Sequence, residues 1–301
     1  MVKDYFDVLL SCIVKGEIVM ICWMNGQFLQ EQELCISPFD HGFLYGLGFF
    51  ETFRTFNGKV PFLVEHYERL KEALEEFRIA MPFSMDELKD IIIELVERNG
   101  GTDGYFRVNV SAGDHAIGLA PTAYTSPNAI VFQKDLHIPS LHTEKTARWL
   151  NTVRNTPEGI LRRKGHSYGN NVLARFELPS LANEEGFFVT TDGFVAEGIT
   201  SNIFWAKEGE LYTPSLQLGI LNGITRQQIM CLANVHEGLF SVQELEAADE
   251  VFITTSIQGL VPIRAVGEVL FAGAQGELYN SLYIAYTKLI EQRIKGEGQC
   301  N

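Results

Sequence analysis

The sequence has 301 residues, of which 46% are hydrophobic and 21% are charged, and its formal net charge is −14. This length exceeds one typical domain, and the composition is that of a folded globular protein. Because the negative charge repels phosphate backbones and anionic lipids, we expect neither nucleic acid nor a membrane as a partner.

The cysteines and the apolar runs indicate the cellular compartment. Five cysteines are widely spaced and form no C-x-x-C pair, which is typical of a protein in a reducing cytoplasm. The apolar run at residues 8–14 is flanked by Asp4, Asp7 and Glu17, so we do not interpret it as a secretory signal. No stretch approaches the ~20 apolar residues of a membrane span. Residues 1–19 are treated as an N-terminal extension.

The first half of the chain alternates between strand and helix patterns. Residues 18–24 and Asn25-Gly26 predict a hairpin, and residues 48–56, Asn57-Gly58 and residues 59–63 predict a second one. Apolar residues at helical spacing predict a helix over residues 63–77. Ser84 and Glu87 form a capping box for the next helix. Strands are predicted at residues 105–111 and 129–133.

A polar stretch without periodicity, which contains Pro139, follows these strands and predicts a domain boundary. We therefore divide the chain into a small α+β domain (20–134), a linker (135–145) and a larger domain (146–301). The larger domain is predicted to have strands at residues 147–153, 187–190, 203–206, 251–254 and 260–263, and helices at 169–181, after Gly223 and from Leu278. The predicted fold class is α/β and α+β with two domains.

Residues 162–171 contain several cationic side chains, a phenol and amides just before a helix pattern, and Lys164 is one of the cations. Such a cluster suits an anionic ligand, although a charge run of this kind is also typical of a solvated surface loop. Further along, Glu197 follows a hairpin and leads into an apolar strand. We expect its carboxylate to be buried and paired with a cation or an N–H donor, with backbone N–H groups as the alternative partners.

Two further segments combine small and hydroxyl residues. Gly223 and Thr225 open a helix whose free N–H groups could bind an anion. Thr254-Thr255-Ser256 places hydroxyls at the end of a strand; ordinary capping and strand propensity are the alternative interpretation. No G-x-S-x-G elbow is present, and His137 and His142 lack the neighbours of a metal site, so we predict no metal.

These clusters, with residues 37–46 and 66–70, lie in the order found in the class IV aminotransferases, and the sequence resembles that family over about residues 20–265. The family includes branched-chain aminotransferases, D-amino-acid aminotransferases and 4-amino-4-deoxychorismate lyases. The resemblance implies a fold type IV enzyme, similar to D-amino-acid aminotransferase, that uses pyridoxal 5'-phosphate bound mainly by the larger domain. It also implies a homodimer with active sites near the subunit interface.

The resemblance assigns roles to single residues. Lys164 matches the lysine that holds the cofactor as a Schiff base, Glu197 the carboxylate at the pyridine nitrogen, and Arg69 the arginine at the phosphate. The other predicted cofactor-binding residues are Tyr168, Ser201, Asn202, Gly223, Ile224, Thr225, Thr255 and Ser256.

Residues 154–159 and the pattern Lys164-x-His166-x-Tyr168 most resemble Bacillus-type aminodeoxychorismate lyases. This implies conversion of 4-amino-4-deoxychorismate to 4-aminobenzoate and pyruvate, a step of folate biosynthesis. The sequence departs from some lyases, with Phe43 in place of a threonine thought to protonate the departing pyruvate and Ala112 in place of an active-site arginine. The candidate substrate residues are Phe43, Arg107, Arg154 and His166.

Two other functions remain open at this point. Branched-chain or D-amino-acid transamination with 2-oxoglutarate would use the same lysine and glutamate, and the fold cannot separate the two reactions. A non-catalytic cofactor-binding protein would show no turnover and no effect of Lys164→Ala on function.

Overall fold

The computed structural model describes residues 20–101, 103–119, 122–136, 143–180 and 182–296. The N-terminal extension at residues 1–19 and most of the predicted linker lie outside the described residues. Within these ranges the chain forms two β-sheets, each built from its own stretch of sequence. Helices accompany both sheets, so the architecture is mixed α/β, as the sequence predicts.

The first sheet is antiparallel, and its described strands have the order β2-β1-β5-β4-β3. These strands are β1 (Ile21–Met24), β2 (Gln27–Gln30), β3 (Gly48–Arg54), β4 (Gly104–Ser111) and β5 (Asn128–Asp135). Asn25 and Gly26 have φ values of 46° and 91°, as a type I′ turn requires. The predicted first hairpin is therefore confirmed.

One face of this sheet is covered by two helices. The helices of this half are α1 (His41–Tyr45), α2 (Leu63–Glu76) and α3 (Met85–Arg98). Ser84 Oγ accepts from the N–H of Glu87, and the Glu87 carboxylate accepts from the N–H of Ser84 at 2.7 Å, which confirms the predicted capping box. Leu74 and Leu95 are fully buried in the core between these helices and the sheet.

The second hairpin is confirmed only at its turn. Asn57 and Gly58 have φ values of 51° and 74°, and Phe56 and Lys59 bond to each other across the turn. The strand predicted at residues 59–63 is wrong, because Phe56 and Lys59 form only an isolated bridge and Leu63 is the first residue of α2. Pro61 lacks the N–H that a continuing strand would need. Strand β3 instead pairs with β4 along its whole length, from Gly48 opposite Ser111 to Arg54 opposite Tyr105.

The second sheet is mixed. Its described strands have the order β11-β10-β9-β12-β13-β6-β7-β8, with β14 paired to β13. They are β6 (Lys145–Trp149), β7 (Glu184–Val189), β8 (Val195–Gly198), β9 (Asn202–Lys207), β10 (Glu210–Pro214), β11 (Val235–Gly238), β12 (Glu250–Thr255), β13 (Gly259–Val266) and β14 (Val269–Leu270). The helices of this half are α4 (Gly169–Phe176), α5 (Ile224–Leu232), α6 (Val242–Glu246) and α7 (Glu277–Lys295).

Two element boundaries differ from the prediction. Helix α4 ends at Phe176 instead of continuing to residue 181, because Pro179 disfavours helical geometry at the residue before it. Strand β6 covers Lys145–Trp149, earlier than the predicted residues 147–153. The strands of the two sheets lie on either side of the predicted linker, while the division into two domains stays a prediction.

None of the helices in the described part of the chain is long and apolar enough to span a membrane.

Candidate active site

The segment that carries Lys164 is hydrogen-bonded to strand β3. Lys164 O accepts from the N–H of Phe50 at 2.9 Å, and the N–H of His166 donates to Gly48 O at 2.9 Å. Lys164 Nζ lies 4.7 Å from the centroid of the Phe50 ring. Because these backbone bonds join residues 164–166 to β3, they place the lysine between the two sheets.

Glu197, near the end of β8, is buried and ion-paired. Its Oε1 accepts from Arg154 Nε at 2.8 Å, and its Oε2 accepts from the N–H of Leu221 at 3.0 Å. Arg154 is itself buried and also donates to Asn170 Oδ1 and Asn171 Oδ1. The carboxylate therefore has both a cation and a backbone N–H as partners, so both alternatives drawn from the sequence are present together.

Arg69, on α2, is held by a second buried carboxylate. Its Nε and Nη2 each donate to Glu51 at 2.7 Å, and its Nη1 donates to Asn222 O at 2.9 Å. His66 Nδ1 lies 2.6 Å from Glu51 Oε2. Burial opposes ionisation of Glu51, but Arg69 and His66 outweigh it and lower its pKa to about 2.

Backbone and hydroxyl groups of the second sheet form an anion-binding cup. Gly223 is the N-cap of the nine-residue helix α5, and Ile224 and Thr225 are its first residues, so their N–H groups have no partner within the helix. Thr255 and Ser256 lie at the end of β12, beside the same cavity. The buried Thr254 Oγ1 has no hydrogen-bond partner, which is costly unless a ligand supplies one.

Lys164, Glu197, Arg69 and the anion-binding cup line one cavity of about 660 Å³. The predicted residues that it brings together are Arg69, Arg107, Arg154, Lys164, His166, Tyr168, Glu197, Ser201, Asn202, Gly223, Ile224, Thr225, Thr255 and Ser256. A cavity of this volume accommodates a small-molecule cofactor together with a substrate.

The remaining predicted residue, Phe43, lines a neighbouring cavity of about 570 Å³. Phe50, Arg107, His166 and Tyr168 line both cavities, so they form the wall between them. The Arg107 guanidinium lies 3.6 Å from the Phe50 ring centroid and donates to Asn109 Oδ1 at 3.1 Å.

His166 is electrically neutral at this wall. Burial and the neighbouring cation of Arg107 lower its pKa to about 4. Its Nε2 is buried and has no hydrogen-bond partner. A Cβ on Gly48 would lie 2.3 Å from the imidazole, so glycine at that position makes room for the ring.

Two buried carboxylates near the cavity are not among the residues predicted from the sequence. Glu51 lies in the aromatic strand β3, and Glu185 accepts from Ser201 Oγ behind the cavity. A single carboxylate inside an apolar strand pattern was the available signal for Glu51, since such a group needs a buried cation. Lys145, which donates to Gln258 Oε1 at 3.3 Å and lines the cavity, was treated only as the end of the linker.

The family model of class IV aminotransferases matches residues 48–266. The chain is 39% identical to the aminodeoxychorismate lyase of Bacillus subtilis, over 92% of this chain and 97% of that protein. It is 35% identical to a putative branched-chain-amino-acid aminotransferase of Methanocaldococcus jannaschii, over 87% of this chain and 94% of that protein.

Solved structures agree with the sequence comparisons and confirm the predicted fold type IV architecture. The branched-chain amino acid aminotransferase of T.th., complexed with N-(5'-phosphopyridoxyl)-L-glutamate, has a TM-score of 0.81 at 25% identity and covers 91% of this chain and 95% of its own. The chain belongs to the class IV aminotransferase family. Members of this family are pyridoxal-phosphate-dependent enzymes.

The cavity fits pyridoxal phosphate on its own chemistry. A lysine suits the aldehyde, the ion-paired Glu197 suits a protonated ring nitrogen, and the N-terminus of α5 suits a phosphate. The unpartnered Thr254 Oγ1 and the close approach of Gly223 to Asn202, where a Cβ would meet Oδ1 at 2.2 Å, mark a cradle with no room for larger side chains.

Proposed function

We propose that this protein is a pyridoxal-phosphate-dependent lyase that converts 4-amino-4-deoxychorismate to 4-aminobenzoate and pyruvate, a step that supplies folate synthesis. The observation that carries the proposal is the 39% identity, over nearly the whole chain, to a Bacillus aminodeoxychorismate lyase. The cavity supports it, because a lysine, an ion-paired carboxylate and an anion cup line one space.

In this proposal different residues of the cavity bind different parts of the cofactor. Lys164 would hold the cofactor covalently, Glu197 would bind its ring nitrogen, and Arg69 would bind its phosphate together with the N-terminus of α5. Tyr168, Ser201, Asn202, Thr255 and Ser256 would complete the binding site. When bound, the cofactor supplies a ring that accepts electrons from the reacting carbon of the substrate.

Lys164 also moves the proton. Once the substrate is bound and the amine of Lys164 is free, that amine would take the proton from the carbon of the substrate ring that bears the amino group. The carbon–oxygen bond to the enolpyruvyl group would break, and the substrate ring would become aromatic. The departing enolpyruvate gains one proton and leaves as pyruvate, so the atoms balance without an oxidant. A general base at this position contributes about 10²–10⁴ to the rate.

Arg107 is the residue best placed to bind a substrate carboxylate. Its guanidinium stacks on Phe50 at the wall between the two cavities, and Asn109 accepts from it. Burial lowers the pKa of Arg107, but the usual pKa of arginine is so high that the side chain stays cationic at neutral pH.

Arg154 was a second candidate, but its hydrogen bonds go to Glu197, Asn170 and Asn171. In this proposal Arg154 therefore holds Glu197, and Arg107 binds substrate.

A homodimer is part of the proposal. Phe43 and Leu119 are 74% and 83% exposed, and each lines one of the two cavities. Exposed apolar side chains at the mouth of a polar cleft are typical of a covered interface. Sedimentation analysis should therefore give the mass of a dimer, and a monomer with full activity would contradict this part.

The test mixes the purified full chain and pyridoxal phosphate with 4-amino-4-deoxychorismate and measures 4-aminobenzoate and pyruvate. We expect both products in equal amounts, and a loss of at least about a thousandfold in Lys164→Ala. Lys71→Ala is the matched control, because Lys71 is exposed on α2, pairs with the exposed Glu68 and does not line the cofactor cavity. Borohydride reduction in the presence of the cofactor should label the peptide that contains Lys164.

The second candidate is transamination of branched-chain or D-amino acids with 2-oxoglutarate. It is favoured by the 35% identity to the putative branched-chain aminotransferase of M. jannaschii and by a 31% identity to a D-alanine aminotransferase of Bacillus licheniformis. Parallel assays with D-alanine or leucine plus 2-oxoglutarate separate the two functions. Glutamate formed without any 4-aminobenzoate would replace the lyase proposal.

A further inference from the structure

Behind Arg69 lies a set of buried polar groups that the proposed reaction does not use. Glu51 and His66 are 2% and 3% exposed. The Glu51 carboxylate accepts from Nε and Nη2 of Arg69, and His66 Nδ1 lies 2.6 Å from Glu51 Oε2. A buried carboxylate persists only with such partners, so this arrangement is built into the fold.

The bonds fix the plane of the guanidinium. Glu51 binds one edge of it in a fork geometry, and Asn222 O accepts from Nη1 at 2.9 Å. Asn222 directly precedes Gly223, the N-cap of α5. The arginine is thereby aligned with the N-terminus of α5 before any ligand arrives, and its other N–H groups are left for an anion.

His66 holds the carboxylate from the other side. Burial lowers the pKa of His66, and the nearby cations of Arg69 and Lys164 lower it further, although Glu51 acts in the opposite direction. A neutral imidazole with its proton on Nδ1 donates to Glu51 without adding a buried charge. The carboxylate is thus restrained by two side chains from different turns of α2.

We propose that Glu51, restrained by His66, is a positioning residue that pre-orients Arg69 to receive the phosphate group of the cofactor. The inference rests on the assignment of Arg69 to that phosphate and does not depend on which reaction the enzyme catalyses. An arginine has many rotamers, and fixing it in advance removes part of the entropy that binding would otherwise cost.

The charge of Glu51 also acts directly on the affinity for the phosphate, in the opposite direction to its positioning of Arg69. The negative charge of Glu51 repels a phosphate, so a simple field argument predicts that removing it would strengthen binding. The Glu51 carboxylate is ion-paired with the Arg69 guanidinium. The pair therefore acts on the phosphate nearly as a dipole, and its repulsion falls off with distance faster than that of a free charge. The orientation of Arg69 then determines the affinity.

The experiment compares two ligands on the full-length protein freed of cofactor. Pyridoxal phosphate and pyridoxal, which lacks the phosphate, are titrated by calorimetry into wild type, Glu51→Gln and Arg69→Gln. We expect Glu51→Gln to weaken pyridoxal phosphate at least tenfold and to change pyridoxal less than twofold. A merely structural role would weaken both ligands alike.

Glu65→Gln is the matched control, because Glu65 also lies on α2 and pairs with an arginine, Arg293, at 2.7 Å, but does not line the cofactor cavity. It should leave both affinities unchanged. Since Glu51 acts through Arg69, Glu51→Gln should have no further effect in the Arg69→Gln background. His66→Phe keeps an aromatic ring without the donor and should weaken pyridoxal phosphate in the same direction, which keeps the inference testable if Glu51→Gln does not fold.

The outcomes are distinct. If Arg69→Gln leaves pyridoxal phosphate affinity unchanged, the assignment of Arg69 to the phosphate is wrong. If Arg69→Gln weakens it while Glu51→Gln leaves it unchanged or strengthens it, the positioning role is overturned; a stronger affinity would show that the charge repulsion of Glu51 dominates. Neither result bears on whether 4-aminobenzoate is formed.

Discussion

Glu197 and Arg154 form a buried ion pair at the end of the cofactor cavity. Both members of the pair have further hydrogen-bond partners. Asn170 and Asn171 accept from Nη1 of Arg154, and the N–H of Leu221 donates to the second carboxylate oxygen of Glu197. Buried pairs of this kind contribute little net stability, but removing one partner leaves an uncompensated charge. The pair therefore holds the carboxylate in place at the position proposed for the ring nitrogen.

At the same scale, Glu51 makes the folded protein sensitive to acid. Its pKa is lowered from 4.5 to about 2 in the folded protein, so its contribution to stability is complete above pH 4.5 and is lost as the pH falls towards 2. The loss is on the order of 3 kcal/mol. His66, whose pKa is lowered from 6.5, acts in the same direction, because protonation below 6.5 favours the unfolded chain.

Urea unfolding followed from pH 7 to pH 3 checks this prediction. Wild type should lose stability across the range, and Glu51→Gln should show a flatter profile below pH 5 from a lower starting value. Glu65→Gln, which affects a different ion pair on α2, should follow the wild-type slope. Parallel profiles for wild type and Glu51→Gln would contradict the assignment of this titration to Glu51.

At the scale of elements, the decisive contact is between β3 and the segment that carries Lys164. The N–H of Phe50 bonds to Lys164 O, and the N–H of His166 bonds to Gly48 O, so the segment extends the edge of the first sheet. Gly48 allows this approach, because a Cβ there would lie 2.3 Å from His166 and 2.7 Å from Val110 O. Displacing the imidazole would disturb the segment that carries Lys164, and displacing the backbone oxygen would disturb β4.

We therefore expect Gly48→Ala to lower stability by about 1–3 kcal/mol, the usual cost of overpacking, and to reduce turnover by displacing Lys164. Gly169→Ala is the matched control, because a Cβ on Gly169 at the start of α4 meets no atom within 4 Å. Chemical denaturation and steady-state kinetics measure the two effects. Wild-type stability and turnover in Gly48→Ala would show that the segment is not constrained at this point.

At the scale of the whole molecule, the cavity joins the two sheets. Arg69 on α2 belongs to the first half of the chain, whereas Glu197, Thr225 and Ser256 belong to the second. A ligand that contacts both halves stabilises both of them, because it binds the folded protein and not the unfolded chain.

Pyridoxal phosphate at a hundred times its Kd should therefore add about 2.7 kcal/mol of stability and raise the Tm by roughly 4 °C. Hydrogen exchange should slow in β3 and in β8 alike. Lys164→Ala should show a smaller rise in Tm, because the covalent bond is lost while the phosphate contacts remain. Slower exchange confined to the second sheet would mean that the ligand does not link the two halves.

The local sequence patterns specified part of this structure. Asn25-Gly26 and the Ser84–Glu87 capping box appear as predicted, because their effects act within a few residues of chain. The order of the motifs around Lys164, Glu197 and Thr255 was enough to indicate the family. Of the second hairpin only the Asn57-Gly58 turn formed, because Pro61 lacks a donor and the helix that begins at Leu63 takes over the residues predicted as its second strand.

The sequence by itself determined the mixed α/β composition, the residue types of the cleft and the lysine among them. Only the tertiary structure decided which groups meet. It paired Glu51 with Arg69 and His66, set Arg154 against Glu197, and placed Arg107 at the wall between two cavities. The physical reason is that ion pairs and cavity walls depend on distances in space between residues far apart in the chain. Local propensity and periodicity, by contrast, reflect only neighbours along the chain.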